Sequence, residues 1–186
     1  MKKIITLILL CSFINSNKAQ SGALDVTFDT DGIATASVGL NAADWALGVA
    51  LQSDGKIVVA GYTDPGGNAS DFAVVRFNSD GSLDNTFDGD GKVTTNVGSN
   101  DFGTAIAIQN DGKILVAGYS NNGGNYDFAI VRYNTNGSLD NTFDGDGKVI
   151  TPIGADSDYA SAIKLQSDGK IVVTGDWYVR INNDDI

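Results

Sequence analysis

Apolar positions along this chain come in short runs separated by turns rich in Gly, Asn, Asp and Ser. The stretch Asp101-Phe102-Gly103-Thr104-Ala105-Ile106-Ala107-Ile108-Gln109 alternates small and branched residues, a period of two that predicts a strand. Asn110-Asp111-Gly112-Lys113 predicts a tight hairpin, with Gly supplying the positive φ that such turns need. Ile114-Leu115-Val116-Ala117-Gly118-Tyr119 is almost continuously apolar and predicts a second strand, covered on both faces. After a Gly/Asn loop from Ser120 to Tyr126, a third strand is predicted at Asp127 to Tyr133, and Asn134 to Ser138 turns the chain again. Leu139 to Phe143 and Asp144-Gly145-Asp146-Gly147 then lead into a more polar fourth strand, Lys148 to Ile153. Four hairpin-linked antiparallel strands form the unit of a propeller blade. The small residues of the first strand suit the crowded channel side, the apolar second strand a central place, and the polar fourth strand the outer edge.

The same text recurs. Asp44-Trp45, Asp101-Phe102 and Asp158-Tyr159 are spaced 57 residues apart, as are Asp54-Gly55-Lys56, Asp111-Gly112-Lys113 and Asp168-Gly169-Lys170. A repeat of this length means small stacked units and not one irregular core. The expected fold is therefore all-β, of β-propeller type, with about three four-stranded antiparallel blades. Full repeats are predicted near 45–97 and 102–153 and a shorter one near 159–181, within a domain from 24 to 186. In the last copy the Gly-rich loop is missing, so Gly175-Asp176-Trp177 runs directly into Tyr178-Val179-Arg180-Ile181. Ile33 to Gly39 reads as a lone fourth-type strand, the one the last copy lacks, and a swap of this kind closes many propellers. Three blades are too few for an ordinary closed ring. That leaves a truncated piece of a longer propeller, an open arc, or two chains closing one six-bladed ring as a homodimer. The balance favours truncation or an open arc.

The unit resembles the delta-60 repeat family of bacterial extracellular proteins. The resemblance is carried by Ala107-Ile108-Gln109-Asn110-Asp111-Gly112-Lys113-Ile114-Leu115-Val116-Ala117-Gly118-Tyr119, by Asp127-Phe128-Ala129-Ile130-Val131-Arg132-Tyr133, and by Leu139-Asp140-Asn141-Thr142-Phe143-Asp144-Gly145-Asp146-Gly147-Lys148. It covers about residues 24 to 181 and implies a β-propeller fold. It implies no catalytic residues, because the family has none established.

Composition sharpens the picture. The chain has no His and no Glu, and its 23 acidic residues are all Asp. Lys2-Lys3, the apolar run Ile4 to Ile14 and the small residues after it read as a signal peptide over 1–19, a boundary that could extend to 23. The run is too short to span a bilayer, which takes ~20 residues. Cys11, the only cysteine, falls inside it; Leu10 stands where a lipoprotein site has a small residue, which argues against lipidation. Removing residues 1–19 takes away three Lys and no acid, moving the net charge from −11 to −14. That excludes a nucleic-acid surface and disfavours anionic membranes, and no second apolar segment predicts membrane insertion. A secreted or cell-surface location is expected.

Two sets of candidate site residues repeat. Asp29 and Asp31, Asp88 and Asp90, and Asp144 and Asp146 sit in Gly turns that supply part of a calcium ligand set, though no Glu closes the loop as in an EF-hand; a solvated turn before the outer strand is the stronger reading. Lys92 and Lys148 follow directly and stand ready to neutralise the turn. Asp44 with Trp45, Asp101 with Phe102 and Asp158 with Tyr159 set an aromatic ring beside a carboxylate near one mouth. That pairing suits sugars, whereas repetition in every blade favours packing of the ring and capping by the acid. Arg76, Arg132 and Arg180 recur on the third strand and are expected to pair with Asp between blades. With no His, and no Cys after the leader, no general base or thiol nucleophile is in view, and no feature breaks the repeat as an active site would. Ser82 and Ser138 lie in identical turns with no base nearby. The expected function is non-catalytic: structural, adhesive or protein-interacting, with no cofactor and an unknown protein or glycan partner. The alternative is a carbohydrate- or calcium-dependent binding module of a larger extracellular protein.

Overall fold

The computed structural model of the chain describes residues 5–8, 22–40, 42–65 and 69–178. Every regular element among them is a strand: β1 (Ile5–Ile8), β2 (Ile33–Ala36), β3 (Ala43–Leu51), β4 (Ile57–Asp64), β5 (Asp71–Phe77), β6 (Lys92–Thr95), β7 (Asp101–Ile108), β8 (Ile114–Asn121), β9 (Tyr126–Tyr133), β10 (Lys148–Thr151), β11 (Asp158–Leu165) and β12 (Ile171–Trp177). Two four-stranded meanders, β3-β4-β5-β6 and β7-β8-β9-β10, stand between two-stranded sheets, β1-β2 before them and β11-β12 after them. All pairs are antiparallel, and the sheets are open. These are propeller blades laid side by side as an arc.

The hairpins form for the local reason read from the sequence. Gly55, Gly112 and Gly169 take φ near +85°, +83° and +85°. The Asp before each accepts the backbone N–H of the Lys after it. Between hairpins the sheets stack through two-sided apolar strands. Val58, Ala60, Phe72 and Val74 of the first meander pack with Ile114, Val116, Val131 and Tyr133 of the second. Leu115, Ala117 and Ile130 on the far side of the second pack with Ile163, Leu165 and Val173 of β11 and β12. Ile57 to Gly61 and Ile114 to Gly118 are buried without interruption, as strands covered on both faces must be.

An ionic clasp ties each complete blade from within. Asp84 lies between β5 and β6 and accepts Lys56 Nζ at 2.8 Å and Arg76 Nε at 2.7 Å. Thr86 donates its hydroxyl to the same carboxylate, and the Arg76 guanidinium lies 4.6 Å from the centre of the Phe87 ring. The second meander repeats the arrangement with Asp140, Lys113, Arg132, Thr142 and Phe143. The arginines therefore pair with an Asp of their own blade, contrary to the inter-blade pairing expected from the sequence. Among the described residues, the bond from Arg76 Nη1 to the Thr135 carbonyl is the arginine contact that crosses to the neighbour. The reason is reach: the Leu-Asp-Asn-Thr-Phe segment folds back beside the strand that carries the arginine, so the nearest carboxylate is local. Arg180 lies outside the described residues.

The sheets stay open, as in the favoured arc, and among the described residues no swapped strand closes them. β2 does not join β11-β12; it pairs with β1 in the register Ile5↔Ala36 to Ile8↔Ile33. Ala34 and Ala36, with Phe28, pack on Ile57, Val59, Val75 and Phe77 of the first meander. The cause is the short link that follows β2. The Asp44 carboxylate accepts the N–H groups of Val38 and Gly39, which pins β2 beside the blade it precedes. The third strand expected near 178–181 and the lipidation question at Cys11 fall outside the described residues, apart from Tyr178.

Candidate binding surface

At one end of the strands the first-strand aromatics come together with a second set that the sequence reading passed over. Trp45 pairs with Tyr62 across β3 and β4, and Phe102 with Tyr119 across β7 and β8. The rings then run on from blade to blade. Trp45 stacks on Tyr62 at 6.0 Å, and Tyr62 meets Phe102 edge-on at 4.7 Å. Phe102 stacks on Tyr119 at 5.0 Å, Tyr119 meets Tyr159 at 4.8 Å, and Tyr159 meets Tyr178 at 5.6 Å. Tyr126 at the start of β9 braces the middle, touching Phe102, Tyr119 and Tyr159. The result is a continuous aromatic band over all three repeats, partly exposed along its length and most open at Trp45 (37 %) and Tyr178 (63 %). Such edge-on and offset contacts add stability beyond area burial, about 0.5–1.5 kcal/mol per pair.

A recurring backbone device aims these rings. The register slips just after each first-strand aromatic, between Ala46 and Gly48, Gly103 and Ala105, and Ala160 and Ala162. A bulge of this kind re-aims the side chain beside it. The carbonyls of Trp45, Phe102 and Tyr159 then lie over Gly61, Gly118 and Gly175, where any Cβ would overlap them. This is the physical content of the Ala-Gly-Tyr pattern on the second strand.

The acids beside the rings are committed elsewhere. Asp101 is fully buried and accepts Val97 N at 2.6 Å, Gly98 N at 3.0 Å and the Ser120 hydroxyl at 2.5 Å. Asp158, equally buried, accepts Ile153 N and Gly154 N through Oδ2 alone, its Oδ1 being buried without a hydrogen-bond partner, and Asp44 accepts Val38 N and Gly39 N. Each carboxylate thus caps the link between the preceding fourth strand and its own blade, and points away from solvent. Burial, with the negative charge of Asp64 as a smaller cause, holds the Tyr62 phenol above its usual pKa, and burial does the same for Tyr119. Those two phenols therefore stay neutral at ordinary pH, and the band offers ring faces and hydroxyls.

The Asp turns have a local use. Asp31, Asp90 and Asp146 accept the N–H of Ile33, Lys92 and Lys148. Asp29, Asp88 and Asp144 adopt positive φ near 45–51°, a conformation Asp tolerates better than most residues. Lys92 reaches Asp90 at 3.6 Å and donates to the Ser37 carbonyl, whereas Lys148 donates to the Asn96 carbonyl. Among the described residues no three acidic, His or Cys side chains gather as a metal cluster. Ser82 and Ser138 donate to Asp80 and Asn136 within their own turns. At the opposite end of the strands a polar cleft of about 500 Å³ opens between the Asp54 and Asn110 turns, with Gln52 and Gln109 in its wall.

Residues 52–87, 109–143 and 166–185 match a family model described as a domain of unknown function (DUF5122) beta-propeller. The first two matched segments each begin at the Gln before a hairpin and end at the Phe of an ionic clasp. No curated protein matches the chain.

Proposed function

This chain is built from the repeats of a β-propeller domain family, consistent with the delta-60 type, and from that premise we propose that it is a non-catalytic, exported interaction module with a structural or adhesive role. The observation that carries the reading is the aromatic band, which presents one kind of chemistry along every repeat, while each acid beside it is buried and accepts backbone N–H groups of the preceding link. Export is supported by the charged, apolar leader, and the absence of a catalytic role by a sequence without His and without Cys beyond the leader. Aromatic rings at a rim supply large contact area at low entropic cost, which is what an adhesive surface needs.

The test is adsorption of the fluorescently labelled chain to bacterial cell-wall preparations, compared with a Trp45→Ala/Tyr178→Ala variant. Loss of adsorption at unchanged circular dichroism supports the reading; adsorption equal to that of the parent overturns it. A carbohydrate-binding role is favoured as second reading by the carboxamides flanking the band, among them Asn100, which donates to the Tyr126 hydroxyl at 2.9 Å. Displacement of the adsorbed chain by soluble polysaccharide supports that reading, and indifference to it sinks it.

A further inference from the structure

The chain has two Asn-Gly steps, Asn122-Gly123 and Asn136-Gly137. Such a step carries its own chemistry. The glycine nitrogen can attack the Cγ of the preceding carboxamide, because no Cβ hinders the approach and the glycine backbone turns freely. The attack needs a carboxamide that is free to rotate and a glycine N–H that nothing holds.

Asn136-Gly137 fails on both counts. The Asn136 Oδ1 accepts the Ser138 N–H at 3.1 Å and the Ser138 hydroxyl at 2.8 Å. The Gly137 N–H donates to the Asn134 carbonyl at 3.0 Å, and Gly137 is buried. The first blade holds Asp80 in the same grip, with Ser82 on its carboxylate and the Gly81 N–H on the Asn78 carbonyl. Electrophile and nucleophile are tied down by the turn itself.

Asn122-Gly123 meets both conditions. It lies in the loop between β8 and β9, where Asn122, Gly123 and Gly124 are all exposed. The loop is held on either side of the step and not at it. The Asn122 N–H donates to the Asn125 carbonyl at 3.1 Å, and the Gly124 N–H to Asn121 Oδ1 at 3.3 Å. Among the described residues, neither the Asn122 carboxamide nor the Gly123 N–H has a hydrogen-bond partner. The space around Gly123 is open as well: a Cβ there would meet nothing within 4 Å. At the base of this loop Asn121 pairs with Tyr126, the ring that touches Phe102, Tyr119 and Tyr159 in the aromatic band.

We propose that Asn122 is a self-modification site, at which the exposed loop converts without an enzyme to aspartate and isoaspartate beside the aromatic band. The Gly123 nitrogen bonds to Asn122 Cγ. The carboxamide nitrogen leaves as ammonia, taking the proton that the Gly123 nitrogen gives up. Water then opens the cyclic imide. Cleavage of the new Cγ–N bond yields aspartate. Cleavage of the original peptide bond yields isoaspartate, whose backbone is one carbon longer. Either product adds a negative charge at the rim, and the longer one spreads the hairpin that seats Tyr126. The reaction depends on the loop alone and stands whether or not the band is adhesive.

The test is ageing of the purified chain in warm, mildly alkaline buffer, folded and in urea, followed by mass spectrometry of tryptic peptides. Trypsin separates the two sites, since 114–132 carries Asn122 and 133–148 carries Asn136. In the folded chain Asn122 gains the mass of OH exchanged for NH2. Asn136 reacts more slowly on the order of 100-fold, because three hydrogen bonds must first break there. In urea the two rates converge. The near-UV signal of the tyrosine rings drifts over the same period in the parent. It holds steady in Asn122→Gln, whose longer side chain closes the ring far more slowly. Equal rates in the folded chain, or a gap that persists in urea, overturns the assignment of the site. A modified parent with an unchanged near-UV signal, or an Asn122→Gln chain that drifts alike, overturns the effect on the band.

Discussion

Replacing Asp101 by Ala separates a capping role from a ligand-binding one. The carboxylate gathers four hydrogen bonds at 2.5–3.1 Å, from Val97 N, Gly98 N (to both oxygens) and the Ser120 hydroxyl, and is fully buried. Ala leaves two half-buried amides and a buried hydroxyl without an acceptor. A lost partner of this kind costs about 1–3 kcal/mol, and some water reaches the half-buried amides, so the sum is about 2–4 kcal/mol. A domain of ordinary stability holds only about 5–15 kcal/mol. Urea unfolding followed by far-UV circular dichroism reads the change. With a slope of about 1–3 kcal/mol per molar, the midpoint falls by about 1–2 M. The control is Asp111→Ala, whose carboxylate accepts only the Lys113 N–H among the hydrogen bonds of its exposed turn; its midpoint stays within about 0.5 M of the parent, as for most surface changes. A midpoint for Asp101→Ala as high as that of the control, together with loss of adsorption, would refute the capping argument and return the acid to the binding surface.

Three further outcomes follow from the same geometry. Gly118→Ala drives a methyl group into the Phe102 carbonyl; overpacking of this kind costs about 1–3 kcal/mol or more, and the near-UV signal of the aromatic band changes with it, whereas Asp111→Ala in its exposed turn leaves that signal unaltered. Tyr133→Phe removes the buried hydroxyl that donates to Thr95 at 2.7 Å and lowers stability by about 1 kcal/mol, read as a shift in thermal midpoint. Burial of Asp84 favours its neutral form, but Lys56, Thr86 and Arg76 outweigh that and hold its carboxyl below the usual value of 3.8. A depressed folded-state pKa gives stability that is present above the unfolded value and is lost as pH falls toward the folded one. Urea midpoints measured downward from pH 5 should therefore fall below about pH 4, and Asp84→Asn should flatten that limb; an unchanged limb would mean that the clasp carries no pH-dependent stability.

Much of this molecule is written one residue at a time. The hairpin glycines, the period-two and continuous apolar runs and the 57-residue step dictate the strands, because each depends on backbone sterics and on which faces must leave water. The recurrence of Asp with an aromatic was equally legible, and so was the turn chemistry of the Asp-Gly segments. The partners of those residues were not. Nothing in the spacing says that Arg76 turns to Asp84 in its own blade, since that depends on how the Leu83-to-Phe87 segment folds back over the sheet. Nor does it say that Tyr62, Tyr119 and Tyr126 join the first-strand rings in one band, because rings from different repeats meet only after the bulges aim them and the sheets stack. The place of β2 was decided in the same way: its sequence marks it as an outer strand, but the blade it lies beside is set by the grip of Asp44 on the link that follows it. Local patterns fix which residues are extended and which face is apolar; the choice among chemically equivalent partners belongs to distances that only the stacked sheets create.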